Sequence, residues 1–201
     1  DHKKLNLSKS FDFNQLILID FFNGLKSSAA KISYSIRYPQ NSKYMAMHIA
    51  GLNDPAPEVV VDFEENVRIV FMEFDDVKIA KIKPAFDARK NVALVNLSSQ
   101  KYSPTGKSKN ILGFQTAEYT LDGDFFAGVV WVSQNMNDKF KQPFSDLGLC
   151  MENPLNGYVL EAKGINKTTG EPVKFQVKEM VHDVPYYIDC KEYSSIQRVN
   201  E

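Results

Sequence analysis

At 201 residues the chain has the length of one domain, which can bury roughly 70% of its unfolded surface without a lattice of disulfides. A mean hydropathy of -0.32 and the lack of any apolar run approaching about 18 residues exclude a membrane-spanning helix. The 24 basic and 25 acidic residues give a net charge of -1. Because nucleic-acid-binding proteins usually carry a basic excess, nucleic acid is not an expected partner.

The first third of the chain carries the apolar alternation of β-strands. Phe11–Phe22 contains Ile and Phe residues and ends at Asn-Gly, which favours a strand over the alternative of a short helix. Lys31–Tyr38 and Tyr44–Ile49 alternate on either side of a Pro-Gln-Asn-Ser turn. These two segments are therefore predicted to form a hairpin.

Three short segments follow, separated by acidic turns. Glu58–Phe63, Val67–Phe74 and Val77–Lys83 are joined by Glu-Glu-Asn and Asp-Asp, the pattern of a meander of antiparallel strands. Both faces of Val67–Phe74 are largely apolar. We therefore expect both faces to be covered.

The strand pattern is then interrupted and returns. Residues 84–110 lack sustained apolar periodicity and are rich in Ser, Lys, Pro and Gly towards their end, which predicts a flexible insertion. Ile111–Leu121 and Asp124–Val132 flank Asp-Gly, a strong hairpin turn. Gly157–Ile165 and Val173–Val181 form a last predicted hairpin, and the tail from His182 shows no regular pattern.

The fold class predicted from these segments is all-β with minor helix, in one domain over residues 1–201. About 10–11 strands and no long amphipathic helix leave a sandwich, a closed barrel or a curved open sheet. Strands that are apolar on both faces favour a curved antiparallel sheet, an open or half β-barrel. Its apolar interior is either solid core or a cavity.

Cys150 and Cys190 are the two cysteines, and they lie outside any CxxC or metal-binding spacing. A bridge between them would close a loop of about 40 residues and contribute about 4 kcal/mol. The alternative is two separate buried thiols. A disulfide is therefore one of two expectations for this pair.

The order of segments resembles an uncharacterised DUF-type family of secreted Bacteroidota proteins with a LolA/LolB-like half-barrel. The resemblance rests on FDFN near the start, SYSIRY with KYMAMHI, VVVDFEENVRIVFME, ILGFQTAEYTLDGD followed by VVWVS, and NKTTGEPVKFQVKEM. It covers most of the chain from Phe11 to Met180, and residues 84–110 match least. These stretches are patterns of strand and turn rather than of catalytic chemistry.

The resemblance implies a curved antiparallel sheet around an apolar cavity, in an exported protein of a Gram-negative bacterium. It would reside in the periplasm or at the outer-membrane surface. A start at Asp1, without Met or a hydrophobic signal segment, is expected for a mature product or for a chain trimmed of its export signal. Methionine thioethers adapt to ligands of varied shape, so Met-containing strands suit such a cavity. The expected ligand-cavity residues are Met45, Met47, Ile49, Val59, Val61, Phe71, Val129 and Trp131.

No catalytic or cofactor signature is present. The sequence contains no G-x-S-x-G elbow, H-E-x-x-H, P-loop or G-x-G-x-x-G motif, so we expect no catalytic residues, no metal and no cofactor. His48 and His182 are expected to be structural, and the acidic residues from Asp62 to Asp76 are expected to be turn residues rather than ligands of a cation. Lys101, Lys107 and Lys109 are fewer than the usual polybasic membrane contact requires.

Three functions follow as hypotheses. The first is a non-enzymatic envelope protein that holds a lipid, acyl chain or other hydrophobic ligand in the concave face of the half-barrel. The second is an interaction or structural module with a solid interior, which binds another envelope protein through a sheet edge or the insertion. The third is a small-molecule enzyme, which predicts titratable groups converging inside a cavity.

Overall fold

The computed structural model of the chain describes residues 10–23, 30–40, 43–50, 57–84, 101–123, 126–136, 157–193 and 195–198. These residues form twelve strands and a single 3-10 turn, Cys190–Glu192. The strands β1 to β12 are, in chain order, Ser10–Asn23, Ala30–Tyr38, Tyr44–Ala50, Glu58–Asp62, Val67–Phe74, Val77–Pro84, Lys101–Ile111, Phe114–Asp122, Phe126–Ser133, Tyr158–Asn166, Pro172–Asp189 and Ser195–Arg198.

The strands lie in one row in the order β12-β6-β5-β4-β3-β2-β1-β11-β10-β9-β8-β7. The register is antiparallel from β3 to β6 and from β11 to β7, whereas β12 runs parallel to β6. The prediction of an all-β fold built on a curved, mainly antiparallel open sheet is therefore confirmed. The parallel partner of β6 was not predicted.

Two strands differ from the sequence prediction. β7 occupies Lys101–Ile111, so residues 101–110 of the segment predicted as an insertion are strand, and it pairs with β8 at the end of the row. β11 runs for 18 residues to Asp189, well beyond the predicted end at Val181. Residues 85–100 lie outside the described part of the chain, so the flexibility of the insertion stays a prediction.

The chain divides into two compact units. The first comprises Asp1–Ile17, Ser35–Phe86 and Met180–Glu201, and the second comprises Leu18–Tyr34 and Asp87–Glu179. The expectation of one domain stays a prediction.

The first unit is organised around a cluster of buried residues from strands that are far apart in the row. Phe11 on β1 and Phe71 on β5 are four positions apart in strand order, yet their ring centroids are 6.5 Å apart. The sheet of the first unit must therefore curl so that one face turns inward. Aromatic side chains pack against one another on that inner face. The ring centroids of Phe11 and Tyr44 are 4.9 Å apart, and those of Phe71 and Tyr193 are 4.7 Å apart.

The second unit buries one face of β8 to β11. Val130, Ala162, Phe175 and Val177 are almost fully buried on that face. The cross-strand pair of Gly128 and Gly164 brings β9 and β10 together there, and the ring of Phe126 lies against Gly164. The opposite face carries mainly polar and charged side chains on β8, β10 and β11, and Val129 and Trp131 on β9.

Candidate functional site

A second apolar surface lies on the outward face of β3 to β6, opposite the inner cluster of the first unit. Antiparallel pairing places Met45 opposite Val61, Met47 opposite Val59, and Met72 opposite Ile79. Because alternate residues of a strand point to opposite faces, these side chains share one side of the sheet. We call this surface the methionine face; it comprises Met45, Met47, Ile49, Val59, Val61, Val70, Met72 and Ile79.

The methionine face is only partly covered. Met45 is buried, whereas the other seven side chains keep intermediate exposure. At the β5–β6 turn the face continues into Phe74, which is 57% exposed, and Val77, which is 49% exposed. An apolar surface of this extent that stays in contact with water is typical of a binding surface.

Basic residues border the methionine face at the other end of β5 and β6. Arg68 lies beside Val61 in the register, and Lys81 and Lys83 lie opposite Val70 and Arg68. All three side chains therefore share the outward face with the methionines. The surface thus combines an apolar area with a cationic edge.

The eight residues predicted to line a cavity divide into three groups. Met45, Met47, Ile49, Val59 and Val61 lie together on the methionine face. Phe71 lies on the opposite face, 2% exposed, within the inner cluster. Val129 and Trp131 belong to the second unit. The register separates Phe71 from the methionines, and contact of these eight residues with a ligand stays a prediction.

The inner face also departs from the predicted concave cavity. Its described side chains include Phe11, Val60, Ile69 and Phe71, which are exposed by 2% or less. The residues expected to line a cavity from within are instead mostly on the outside. This inner face is a packed core, as the second hypothesis expects.

Trp131 has charged side chains as its cross-strand neighbours. In the register it lies between Glu118 on β8 and Glu161 on β10. The Lys109 ammonium group lies 4.1 Å from the Trp131 ring centroid and 2.9 Å from Glu161 Oε2. Contact of Trp131 with a ligand stays a prediction.

Glu118 is held by groups from the neighbouring edge strand. Thr105 Oγ1 donates to Glu118 Oε1 at 2.8 Å, and Lys107 Nζ lies 3.1 Å from the same oxygen. The Thr105 hydrogen bond, followed by the hydrogen bond and charge of Lys107, outweighs desolvation and lowers the pKa of Glu118. This carboxylate is therefore ionised and engaged at neutral pH, which does not suit a general acid.

The structure joins three polar residues that sequence reasoning missed. Tyr186 donates its hydroxyl to Glu58 Oε2 at 2.9 Å, and Arg37 Nη1 lies 3.6 Å from Glu58 Oε1. The Arg37 guanidinium also stacks 4.0 Å above the Tyr186 ring. Burial, together with the charge of Glu58, raises the pKa of Tyr186 to about 12. The hydroxyl therefore stays protonated and serves as a donor that fixes Glu58.

Asp62 and the two histidines were expected from the sequence to have structural roles. Asp62 Oδ1 accepts hydrogen bonds from the backbone N–H groups of Glu64 and Glu65, each at 3.0 Å, as a turn residue does. His48 lies on β3 opposite Glu58 in the register, and His182 is exposed on β11. These positions do not assign a catalytic role to either histidine.

Cys190 is buried in the first unit and forms no disulfide with any residue that the structure describes. Burial and the adjacent negative charge of Asp189 raise the pKa of Cys190 to about 11. The thiol is therefore protonated at neutral pH and is a poor nucleophile. Its predicted partner, Cys150, lies outside the described residues, and the disulfide stays a prediction.

Comparisons with known proteins give no family assignment. No family model and no curated protein matches the chain. Among solved structures, an uncharacterised conserved protein from Thermus thermophilus is 9% identical with a TM-score of 0.47, over 96% of this chain and 93% of that one. A LolA superfamily protein from Nitrosomonas europaea is 12% identical with a TM-score of 0.32, over 86% of each chain.

A structure of PNGF-II is 14% identical with a TM-score of 0.42 over 92% of this chain. The chain spans 31% of the length of that protein.

Within the described residues of the present structure, no helix has the length and apolar character needed to cross a membrane.

Proposed function

We propose that this chain is an exported cell-envelope protein without enzymatic activity, and that it binds a lipid or acyl chain on the methionine face. The observation that carries the proposal is the partly exposed apolar surface of β3 to β6 beside a cationic edge. The concave face is no longer proposed as the ligand site, because its described side chains are packed against one another.

The chemistry of the surface favours a lipid over a purely polar ligand. Met47 and Met72 offer unbranched thioether side chains, which repack around acyl chains of different shape. Arg68, Lys81 and Lys83 lie at the edge, where an anionic head group would meet them. An apolar tail with a negatively charged head matches both parts of the surface.

Native mass spectrometry of the freshly purified protein, followed by organic extraction, tests the proposal. A stoichiometric lipid that dissociates from the protein would support it and would identify the ligand class. An apo mass that stays unchanged after incubation with mixed envelope lipids would contradict it. Fractionation of the source cells tests the envelope location separately.

A pair of matched variants locates the binding surface. Met47→Gln with Met72→Gln replaces two apolar contacts by polar side chains of similar shape and should weaken lipid binding about tenfold or more. Met180→Gln with Ile165→Gln makes comparable replacements on β11 and β10. Equal lipid binding by the two double variants would show that the methionine face is not the site.

The packed inner face favours a second candidate, an interaction module that binds another envelope protein. The described residues of β7 lie at the end of the strand row and are largely exposed, so its outer edge is the available surface for strand addition. However, the edge contains Pro104, a bulge between Pro104 and Ser108, and several lysines, which are features that discourage pairing. This candidate becomes the leading one if the protein binds no lipid.

A further inference from the structure

The outward face of the second unit contains two lysines placed directly opposite each other. Lys163 on β10 pairs with Lys174 on β11 in the antiparallel register. Lys178 lies on the same side of β11, because residues 174, 176 and 178 alternate with the buried Phe175 and Val177. Like charges opposite each other on one face of a sheet destabilise the fold. An anion bound at this face would offset the repulsion between the lysine ammonium groups.

Carboxylates on the same face already have other partners. Asp20 Oδ2 lies 2.8 Å from Lys31 Nζ, and Glu118 and Glu161 are paired with lysines of β7. Within the described part of the chain, Lys163, Lys174 and Lys178 form no ion pair, although the charge of Lys178 helps to lower the pKa of Asp20. The face therefore keeps an excess of positive charge, whereas the whole chain has a net charge of -1.

Aromatic rings lie among these lysines. The Lys174 ammonium group is 5.5 Å from the Phe22 ring centroid. Trp131 lies on the same side of the sheet, since it pairs with Glu161, two residues before Lys163 on β10. Both rings are partly exposed. Aromatic rings beside lysines on one surface match the boundary between lipid head groups and acyl chains.

We propose that this surface, which comprises Phe22, Trp131, Lys163, Lys174 and Lys178, docks on an anionic lipid membrane. Three lysines alone are fewer than a polybasic membrane contact usually requires. The proposal therefore rests on these lysines together with the two partly exposed rings on the same face. Each lysine near an anionic membrane contributes attraction that is screened by salt. The proposal is independent of lipid binding by the methionine face, because the two surfaces have no residue in common.

Co-sedimentation with phosphatidylcholine vesicles, with and without phosphatidylglycerol, tests the proposal on the full chain. The protein should bind the anionic vesicles at low salt, release at high salt and leave the neutral vesicles unbound. Lys163→Gln with Lys174→Gln should lower the partition coefficient about fivefold for each lysine removed. The denaturation midpoint of this variant should be unchanged or raised, because the like-charge pair is relieved.

Lys43→Gln with Lys191→Gln is the charge-matched control, since it removes two positive charges from the first unit. This control should bind vesicles almost as well as the parent protein. Failure of the parent to bind anionic vesicles at low salt would overturn the proposal. So would equal losses in the two double variants, or binding to neutral vesicles as strong as to anionic ones.

Discussion

Substituting Gly164 tests how closely β9 and β10 approach each other. A Cβ at this position would lie 2.1 Å from the carbonyl oxygen of Ala127, 2.7 Å from Phe126 Cζ and 2.8 Å from Gly128 Cα. Two of these three atoms belong to the backbone of the neighbouring strand, which cannot move aside as a flexible side chain can. Overpacking of this kind costs about 3 kcal/mol, so Gly164→Ala should lower the free energy of unfolding by about that amount.

Urea denaturation followed by circular dichroism measures this change. With a denaturant slope of about 2 kcal/mol/M, the midpoint should fall by about 1.5 M. Gly170→Ala is the matched control, because Gly170 has a φ of +71° but no atom lies within 4 Å of the position that the alanine methyl group would occupy. Only backbone strain opposes that change, at a cost of about 1 kcal/mol. If Gly164→Ala shifts the midpoint no more than Gly170→Ala, the close approach of the strands is refuted.

Three further predictions concern titratable groups. Burial raises the pKa of Asp20, but hydrogen bonds from Lys31 and Ser33 outweigh burial, so the pKa is lowered. The stability that this lowered pKa contributes is lost as the pH falls through the folded-state value. Asp20→Asn should therefore reduce the acid dependence of the free energy of unfolding, measured by denaturation at several pH values. Tyr186→Phe removes the donor to Glu58 and should cost about 1 kcal/mol in urea denaturation; no loss would show that the hydrogen bond does not stabilise the fold. In a Cys150→Ser background, Cys190 should resist a thiol reagent at neutral pH until denaturant is added, and fast labelling of the native protein would contradict its burial.

Apolar alternation and turn residues were sufficient to predict the meander of β4 to β6. The turns between these strands place Asn66, Asp75 and Asp76 at positive φ, a conformation that Asn and Asp adopt more readily than most residues. The local sequence thus contains both the strand pattern and the residues that reverse the chain. The sequence predicts these strands and turns because residues close together in the chain determine each of them.

β7 was missed because its environment leaves no apolar pattern. Most residues of Lys101–Ile111 are exposed, and the strand is held at the end of the row by its pairing with β8. A strand exposed on both faces has no hydrophobic period to detect. The extension of β11 was missed for a related reason, since it passes through Asp183 at a φ of +57° and through Pro185, both of which read as interruptions.

At the candidate site, the alternation of apolar and polar residues along β3 and β4 predicts which side chains share a face of the sheet. It does not predict which of the two faces packs into the core of the first unit. The register places Met45, Met47, Ile49, Val59 and Val61 on one face, and this face is opposite the inner cluster. The direction of curling depends on contacts between distant strands. The grouping of Arg37, Glu58 and Tyr186 depends on such contacts too, because the hydrogen-bonded residues Glu58 and Tyr186 are 128 positions apart.

The parallel pairing of β12 with β6 has a consequence for the order of folding. The first unit is assembled from three segments of the chain, and most of the second unit lies between the second and third of them. Ile188, Cys190 and the strand beside β6 all come from the last of these segments. During synthesis, the first unit therefore lacks part of its core and the cover of one strand edge until that segment has emerged. Such long-range closure makes folding slow, and the unfinished β6 edge is the point at which a nascent chain would be exposed to aggregation.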